Sequence, residues 1–462
     1  MPDQTTFQSN PVPQAIADCE YALARKPADI AILNQLAMLE TSDSRFAQAL
    51  EHISQALKLA PKHPLLHYNR GQILGGLQQY PQEIEAYQRA LTLKPDFVEA
   101  YVNMGVALRD LKRFDEAFAA FKQALRIQPE HAGARTNRAQ TNLLLGNFEH
   151  GWREYEWRWQ DGHQRHDVPG TRWNGKTSLQ GKRLLIHAEQ GLGDTIQFAR
   201  YLSLLQEQGA TLLLRVQTPL KELFAHFQGV SSVTTEDSPL PAFDFHIPLL
   251  SLPNVLYSRY PAIAPASPYL QADHAGIDQW TARTAQWKRS LPASHSREQV
   301  APQAQPLLVG LCWSGNPQHL NDLNRSIRLD ELKPVLQQDC IFVSLQKDLR
   351  TTDQDLLASH PEIFNTGPLL NNFADTAALV CTLDLVITVD TAVAHLCGAL
   401  GIETWLLLPD PPDWRWMLHR NDSPWYGQMK LFRQAQRGNW TPVLAEVAQQ
   451  LEARVLARRA DD

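Results

Sequence analysis

Apolar and small residues recur every 34 positions in the first third of the chain. The stretch "YNRGQILGGLQQYPQEIEAYQRALTLKP" aligns with "VNMGVALRDLKRFDEAFAAFKQALRIQP" at that spacing. Small, aromatic and proline residues occupy the same places in both: Gly71 and Gly105, Tyr80 and Phe114, Tyr87 and Phe121, Ala90 and Ala124, and Pro95 and Pro129. Small residues let two helices approach, aromatic residues fill the seam between them, and proline ends the second helix. The pattern therefore predicts a solenoid of stacked helical pairs.

This 34-residue pattern resembles the tetratricopeptide repeat. It predicts a half repeat to about Pro27, three full repeats to about Glu130, and a further helical pair around residues 134–159. Because stacked repeats of this kind form an extended groove, the resemblance implies a protein or peptide partner bound there.

Two features depart from a regular repeat. Glu83 stands where the other repeats have Ala49 and Ala117, so that unit is expected to pack less closely or to tilt. Three tryptophans near the end of the region are expected to pack the solenoid against the following segment, with ligand contact as the alternative. They are Trp152, Trp157 and Trp159.

The pattern changes after residue 160 to short apolar runs such as "KRLLIHAE" and "LDLVITVD", separated by helix-like stretches. This alternation is typical of parallel sheets flanked by helices, so the predicted fold class is an α-solenoid followed by α/β. Polar stretches rich in glycine, proline or serine indicate two connections. The predicted division is a solenoid at 1–160, a connector at 161–181, a Rossmann-like domain at 182–290, a linker at 291–305 and a second Rossmann-like domain at 306–462.

Charge and composition exclude several classes of protein. A net charge of -6 and a pI near 6.2 give no basic face for nucleic acid. A cytoplasmic protein without a transmembrane segment is expected, because no apolar run is long enough to span a membrane and the first residues do not resemble a secretion signal. The cysteines are far apart and outside metal-ligand spacing, so reduced core cysteines and no metal are expected. They are Cys19, Cys312, Cys340, Cys381 and Cys397.

The stretch "LDLVITVDTAVAHLCGALG" predicts a buried strand that runs into a helix at Asp390 and Thr391. Either residue can cap the helix, whose first free amides, from Ala392 on, would then point into a cleft and attract a phosphate or diphosphate. His395 lies one turn further on and can donate to the same anion. The alternative is that Asp390 and Thr391 only cap the helix and that His395 is a surface histidine.

Within that stretch, "DTAVAHLCGALG" resembles the "DTGxxHLAxALG" motif of heptosyltransferase-like glycosyltransferases, glycosyltransferase family nine. Asp390, Thr391 and His395 match the motif, and Ala392 replaces its glycine. In that family the helix start holds the diphosphate of a nucleotide-sugar donor. The resemblance extends over about residues 182–457 and implies the two-Rossmann GT-B architecture.

The stretch "HAEQGLGDTIQFARYL" resembles the first strand, glycine loop and helix of the same family. The aspartate of its "GD" pair is the proposed general base, which implies a catalytic role for Asp194, with Glu189 as the reserve base. Gly191 and Gly193 are expected to bring the backbone close to the cleft. The alternative is that Asp194 is only a helix cap and that Glu189 only hydrogen-bonds the following loop.

Other candidate donor-binding residues follow the later predicted strands. Arg325 is the nearest cation for a phosphate after the first strand of the second domain, with an ion pair to Asp322 as the alternative. Asn316 lies in the same loop, and the Gln346 amide is suited to a nucleobase or ribose edge. A loop after Leu408 is expected to contact sugar or acceptor, although its tryptophans can equally pack it down. Its candidates are Asp413, Trp414, Arg415 and Arg420.

Together these features predict a glycosyltransferase that acts without a metal and inverts the anomeric centre. Its donor is a nucleotide sugar, with no other cofactor, and its acceptor is a glycan, a lipid-linked molecule or a protein. In one version the solenoid groove presents a polypeptide acceptor. The alternative function is a non-catalytic adaptor whose α/β region is a degenerate nucleotide-sugar-binding module.

Overall fold

The computed structural model describes residues 11–160, 168–259, 268–290, 306–319 and 321–461. The chain forms two compact units, Met1–Arg165 and His166–Asp462. Each unit is described by itself.

The first unit is a helical solenoid, as the 34-residue period predicts. Each predicted repeat is a pair of helices in direct contact. The helices of its described residues are α1 (Pro11–Arg25), α2 (Ile30–Ser42), α3 (Phe46–Leu59), α4 (Pro64–Gly76), α5 (Tyr80–Leu93), α6 (Val98–Asp110), α7 (Phe114–Ile127), α8 (Ala132–Leu144) and α9 (Phe148–Tyr155).

Glycines and aromatic rings fit together inside the repeats as expected. A β-carbon on Gly71 of α4 would lie 2.5 Å from the ring of Tyr87 in α5, and one on Gly105 of α6 would lie 2.5 Å from Phe121 in α7. Both rings are buried. The two helices of a repeat can therefore approach this closely only where no side chain is present at the glycine.

The structure accommodates Glu83 through a second glycine. Glu83 in α5 is buried, and a β-carbon on Gly75 of α4 would lie 2.8 Å from its Oε1 atom. The larger acidic side chain of this repeat therefore fills the space that Gly75 leaves open, and α4 and α5 stay in close contact.

The tryptophans at the end of the solenoid make contacts within the first unit. The ring of Trp152 is stacked on Phe148 at 6.2 Å, and the Arg135 guanidinium lies 4.1 Å from the ring centre of Trp157. The Arg158 guanidinium lies 4.6 Å from the ring of Trp159. These rings thus belong to the packing of the last helical pair.

The second unit contains two parallel sheets, as the apolar runs predict. The first sheet has the strand order β3-β2-β1-β4, with helices beside it. Its elements are β1 (Arg183–His187), α10 (Leu192–Phe198), α11 (Leu202–Gln206), β2 (Thr211–Val216), α12 (Lys221–Phe224), β3 (Val230–Thr235), β4 (Phe245–Pro248) and α13 (Leu252–Leu256).

The second sheet has six parallel strands in the order β10-β9-β8-β5-β6-β7. Counted from its own first strand, β5, this is the 3-2-1-4-5-6 order of the dinucleotide-binding fold, whose direction of winding reverses between β5 and β8. The elements are α14 (His274–Ser290), β5 (Leu308–Cys312), α15 (Asp322–Arg325), α16 (Lys333–Leu336), β6 (Ile341–Ser344), α17 (Thr351–Ala358), β7 (Ile363–Asn365), α18 (Phe373–Val380), β8 (Leu385–Val389), α19 (Ala392–Leu400), β9 (Thr404–Leu408), β10 (Met429–Arg433) and α20 (Thr441–Asp461).

Helix α14 packs on the second sheet, although the predicted division assigns it to the first Rossmann-like domain. Trp280 is buried in the same apolar core as Val343 of β6, and Trp287 stacks on Phe364 of β7 with ring centres 4.7 Å apart. A β-carbon on Gly276 would lie 2.9 Å from that of Ala378 in α18. The apolar face of α14 is buried there, which moves the boundary between the two sheets to before this helix. The predicted linker 291–305 lies outside the described residues.

A buried arginine joins the two sheets of the second unit. Arg200 follows α10, and its Nη1 atom donates to the backbone carbonyl of Trp425, 2.9 Å away. Its guanidinium also lies over the rings of Tyr269 and Tyr426, at 5.1 and 4.9 Å. The two sheets therefore share a packed interface and do not face each other only across open solvent.

In the parts of the chain that the structure describes, no helix has the length and hydropathy needed to cross a membrane. All five cysteines are free, and Cys381 is the one among them that is not fully buried.

Candidate functional site

The candidate site lies at the carboxyl ends of β5 and β8, where the strand order of the second sheet reverses. Ligands of such sheets bind at this point, because the loops that leave the two strands diverge there. Ser314 and Gly315 follow β5, and Asp390 and Thr391 follow β8. From the first sheet, the start of α10 packs against α19.

The start of α19 offers free backbone donors. Thr391 is the residue before the helix and has an extended backbone, but its hydroxyl does not cap the helix; it lies 3.7 Å from Cys312 Sγ. The first turn is closed by the Ala394 amide, which donates to Thr391 O at 3.1 Å. Among the described residues the amides of Ala392 and Val393 have no partner. They lie at the positive end of the helix dipole, which suits an anion.

Arg325 lies beside this helix start. Its Nη1 atom donates to the carbonyl oxygen of Asp390 at 2.9 Å, and its Nε lies 3.5 Å from Asp322 Oδ1. Gly315 makes room for it, because a β-carbon there would lie 2.5 Å from Arg325 Nη2. Asp322 is itself buried and paired with Arg350. The ion pair expected as the alternative is thus present, and it also places the guanidinium next to α19.

The Asp390 carboxyl is unusually easy to protonate. Burial, together with the negative charge of Asp413, raises the pKa of Asp390 to about 6, while Arg325, the Trp416 indole and Arg415 oppose that rise. The carboxylate of Asp413, close to Asp390, disfavours a bound anion. For a phosphate to bind, the positive groups at the start of α19 must outweigh this negative charge.

His395 is buried and held from three sides. Its Nδ1 atom lies 2.9 Å from the hydroxyl of Tyr426, and its ring stacks on Trp416 with centres 5.2 Å apart. Burial lowers the pKa of His395 well below its usual value, and the nearby charges of Arg415, Arg200 and Arg325 lower it further. The imidazole is therefore neutral at neutral pH, and it is a buried residue rather than the surface histidine of the alternative.

Gly193 brings α10 against this histidine. A β-carbon at position 193 would lie 2.7 Å from His395 Cδ2 and 3.4 Å from Ala392 Cα. The glycine predicted to bring the backbone close to the cleft therefore allows α10 and the first turn of α19 to touch.

Both oxygens of Asp194 have partners. Oδ2 accepts from the Gly191 amide at 2.9 Å, which is the helix-capping role named as the alternative. Oδ1 forms an ion pair with Arg415. Glu189, the reserve base, accepts from the Leu250 amide at 2.9 Å and so fixes the loop after β4.

Arg415 connects the loop after β9 to α10. Besides its ion pair with Asp194, its Nε donates to Gln197 Oε1 at 2.9 Å and its Nη1 donates to Asp413 Oδ1 at 2.8 Å. The guanidinium lies 4.2 Å from the ring centre of Trp414. The side chain is largely buried, and the pair Asp194–Arg415 thus links the two sheets beside the candidate site.

The tryptophans after β9 pack their loop onto the protein. Trp414, Trp416 and Trp425 are all buried, which favours the packing role over contact with sugar. Arg433, the last residue of β10, donates to the backbone carbonyls of Met417 and Trp416 and so fixes the loop to the end of this strand.

Two predicted donor-binding residues have internal roles. Gln346 Oε1 accepts from the Ser314 amide at 3.1 Å, and its Nε2 donates to Asp348 O at 3.1 Å, so the amide fixes the loop after β5. Asn316 is exposed, and its Oδ1 accepts from the Gln318 amide at 2.9 Å. Contact of either residue with a nucleotide stays a prediction.

His319 is a candidate that sequence reasoning missed, although it lies between Asn316 and Arg325. Its Nδ1 accepts from the Asn321 amide at 3.1 Å, so the neutral ring carries its proton on Nε2. Partial burial and the charge of Arg325 lower the pKa of His319, whereas the carboxylates of Asp413, Asp322 and Asp194 raise it. The imidazole is therefore an exposed donor placed among the charged groups of the site.

Several buried polar atoms beside the site have no hydrogen-bond partner within the described residues, among them Gln197 Nε2, Ser314 Oγ and Arg325 Nε. Buried donors are almost always satisfied in proteins, so unpartnered ones next to a cluster of charges favour a polar ligand or ordered water. Within the same residues no three His, Cys, Asp or Glu side chains are grouped as metal ligands.

Comparison with known proteins establishes the class of the first unit. Residues 34–98 and 98–131 match family models of the tetratricopeptide repeat. These residues are tetratricopeptide repeats. Solved structures similar to about a third of the chain include MamA from Desulfovibrio magneticus, 18% identical, covering 32% of this chain and 81% of that one with a TM-score of 0.28. Another is YrrB, a TPR protein with an unusual peptide-binding site; it is 22% identical and covers 33% of this chain and 79% of that one, with a TM-score of 0.28.

A curated relative extends beyond the repeats. Protein FlbA of Caulobacter vibrioides is 29% identical over 344 residues, which make up 67% of this chain and 53% of FlbA. The chain thus spans about half the length of this relative. Because the first unit ends at Arg165, a match over two thirds of the chain must include part of the α/β unit.

The tetratricopeptide repeats carry one amide side chain at the same position of each first helix. They are Gln35, Asn69, Asn103 and Asn137. Asn69 Nδ2 donates to Asn34 Oδ1 at 2.6 Å, and Asn103 Nδ2 donates to the Tyr68 hydroxyl at 3.0 Å. The row therefore links successive repeats.

Proposed function

We propose that the α/β unit is a glycosyltransferase of the two-Rossmann GT-B arrangement that binds a nucleotide sugar at the start of α19. The observation that carries the proposal is the pair of free amides at Ala392 and Val393 with Arg325 beside them, at the switch point of the six-stranded sheet. The family-nine motif at Asp390, Thr391 and His395 falls on the same place.

Electrostatics at this point suit a diphosphate. The helix start supplies partial positive charge, Arg325 supplies a planar guanidinium, and the Nε2–H of His319 supplies a further donor. These groups neutralise the charge that builds up on a departing nucleoside diphosphate, which is the main electrostatic demand of glycosyl transfer.

The reaction is a single displacement. The acceptor hydroxyl attacks the anomeric carbon, the bond from that carbon to the diphosphate oxygen breaks, and the nucleoside diphosphate leaves with the electron pair. The acceptor proton passes to the carboxylate of Asp194, which stands at the start of α10 on the opposite sheet. Attack from the side opposite the leaving group inverts the anomeric centre.

In this proposal the tetratricopeptide repeats bind the protein partner. Tetratricopeptide repeats support a protein-interaction role, and Asn103 and Asn137 of the amide row are partly exposed. In the proposed enzyme this surface recruits the acceptor or a protein that carries it.

A second candidate function is a non-catalytic adaptor. The observation that favours it is the double engagement of Asp194, which accepts from Gly191 and is paired with Arg415. In this alternative the carboxylate only holds the two sheets together, and the α/β unit binds a nucleotide sugar without turning it over.

Calorimetry with a panel of nucleoside diphosphates and nucleotide sugars tests the proposal. We expect one of them to bind, and Arg325→Gln to weaken that binding by about 10-fold or more through the loss of a charge-assisted contact. Arg328→Gln is the matched control, because Arg328 is exposed and paired with Asp330. Thermal melts of both variants report whether the fold is intact.

The outcomes separate the two functions. Binding followed by release of the nucleoside diphosphate, in the presence of acceptor, supports the enzyme. Binding with no turnover of the donor supports the adaptor. Absence of heat for every ligand with the folded native protein contradicts a donor site at α19.

A further inference from the structure

We infer that Arg415 exchanges partners when the donor binds: its guanidinium leaves Asp194 for the diphosphate, and Asp194 becomes free to accept a proton. The inference rests on the proposed function. It adds that the donor must bind before Asp194 can act as the base.

The position of Arg415 makes the exchange possible. It belongs to the loop after β9, the strand next to β8, so it lies near the start of α19. It is also paired with Asp194, whose neighbour Gly193 lies against Ala392 and His395. The charge of Arg415 reaches α19 as well, since it lowers the pKa of His395. The Arg415 guanidinium is thus paired with a carboxylate of α10, the helix that packs against α19.

Charge favours the exchange. A diphosphate presents several anionic oxygens, whereas Asp194 presents one carboxylate, and the Nη2 group that leaves Asp194 can donate to a phosphate oxygen in a charge-assisted hydrogen bond. Arg415 keeps its contacts with Gln197, Asp413 and Trp414 on its other edges, which hold the side chain in place while one partner is replaced.

Asp194 does not become an isolated buried charge after the exchange. Its Oδ2 still accepts from the Gly191 amide at the start of α10, where the helix dipole also stabilises a carboxylate. The other oxygen, Oδ1, then faces the site. Donor binding therefore precedes activation of the base, and an acceptor that arrives first meets a carboxylate already paired.

The exchange of partners can be tested by binding measurements alone, without turnover of a donor. If Asp194 and the diphosphate compete for Arg415, then neutralising Asp194 must tighten the binding of a diphosphate. Binding of inorganic pyrophosphate to the full chain is measured by calorimetry for four proteins: native, Asp194→Asn, Arg415→Gln, and the double variant. Asparagine retains an oxygen for the Gly191 amide.

We expect Asp194→Asn to bind pyrophosphate about five-fold or more tightly than the native protein, and Arg415→Gln to bind it more weakly. In the Arg415→Gln background the effect of Asp194→Asn shrinks toward none, because the competition has been removed. Asp422→Asn, which neutralises an exposed carboxylate paired with Arg420, serves as the charge control and leaves affinity unchanged.

The failures are distinguishable. Pyrophosphate that binds the native protein while Asp194→Asn gives no increase in affinity, or an equal increase with and without Arg415, overturns the exchange and leaves the donor site standing. Absence of binding to both the native protein and the folded Asp194→Asn variant overturns the donor site itself.

Discussion

Gly193 of α10 and His395 of α19 are in direct contact, and a β-carbon on the glycine would lie 2.7 Å from the imidazole Cδ2 atom. Glycine inside a helix costs stability relative to alanine, so its presence here is explained by the close approach of two helices from different sheets. The imidazole cannot easily give way, because Trp416 and Tyr426 hold it on its other sides.

Gly193→Ala is therefore expected to lower the free energy of unfolding by about 1–3 kcal/mol, as overpacking of a tight interface does. Urea unfolding followed by tryptophan fluorescence measures the change. Gly427→Ala is the control, since nothing lies within 4 Å of a β-carbon at that position. Equal unfolding midpoints for Gly193→Ala and the native chain would show that the contact is not tight in solution.

Asp390→Asn is expected to stabilise the protein at neutral pH. Burial and Asp413 raise the pKa of Asp390 to about 6, so the folded chain binds its proton more tightly than the unfolded chain does. The free energy of unfolding thus falls as pH rises from about 4 to 6. The variant lacks this loss, so its free energy of unfolding should exceed that of the native protein by roughly 1–3 kcal/mol at pH 7. The difference should become small near pH 4. Chemical unfolding across that range tests it, and a gap that is constant with pH contradicts it.

His395 gives the opposite pH dependence. Burial and the charges of Arg415, Arg200 and Arg325 lower the pKa of this histidine, so the unfolded chain takes up the proton first on acidification. The contribution of neutral His395 to the free energy of unfolding is present above about pH 6.5 and is lost as the pH falls below that value. His395→Gln should flatten the decline in thermal stability between pH 6.5 and 5. The exposed His226→Gln variant is the control for the loss of an imidazole, and the idea fails if both variants behave alike.

The contact between Gly75 and Glu83 predicts that the effect of Gly75→Ala on stability changes sign when Glu83 is replaced by alanine. In the native background Gly75→Ala places a β-carbon 2.8 Å from Glu83 Oε1, and we expect a loss of about 1 kcal/mol. In the Glu83→Ala background the same change meets no carboxylate and gains up to about 1 kcal/mol from helix propensity. Thermal melts followed by circular dichroism give the four values of the cycle. The same effect in both backgrounds would mean that the two positions do not touch.

The features that depend on local pattern could be predicted from the sequence. The contacts of Gly71 with Tyr87 and of Gly105 with Phe121 repeat every 34 residues, so the spacing alone indicated the helical pairs. The strands were predicted for a similar reason, because a buried parallel strand is a short apolar run between polar turns.

The partners that are far apart in the sequence could not be predicted for the candidate site. Asp194 and Arg415 are 221 residues apart in the chain, and nothing in either local sequence indicates that they pair. Arg200, which has no motif around it, is likewise identified only by its buried contacts with Trp425 and Tyr426. The sequence pattern indicated a loop after β9, but the burial of Trp416 within that loop is known only from the three-dimensional contacts.

The placement of α14 determines which fragment of the chain contains a complete second sheet. A fragment that begins at Pro306 would contain all six strands yet lack Trp280 and Trp287, and it would leave Phe364 and Ala378 open to water. A fragment intended to fold as this half must therefore include α14, together with the preceding turn where Tyr269 and Leu270 donate to Ala399.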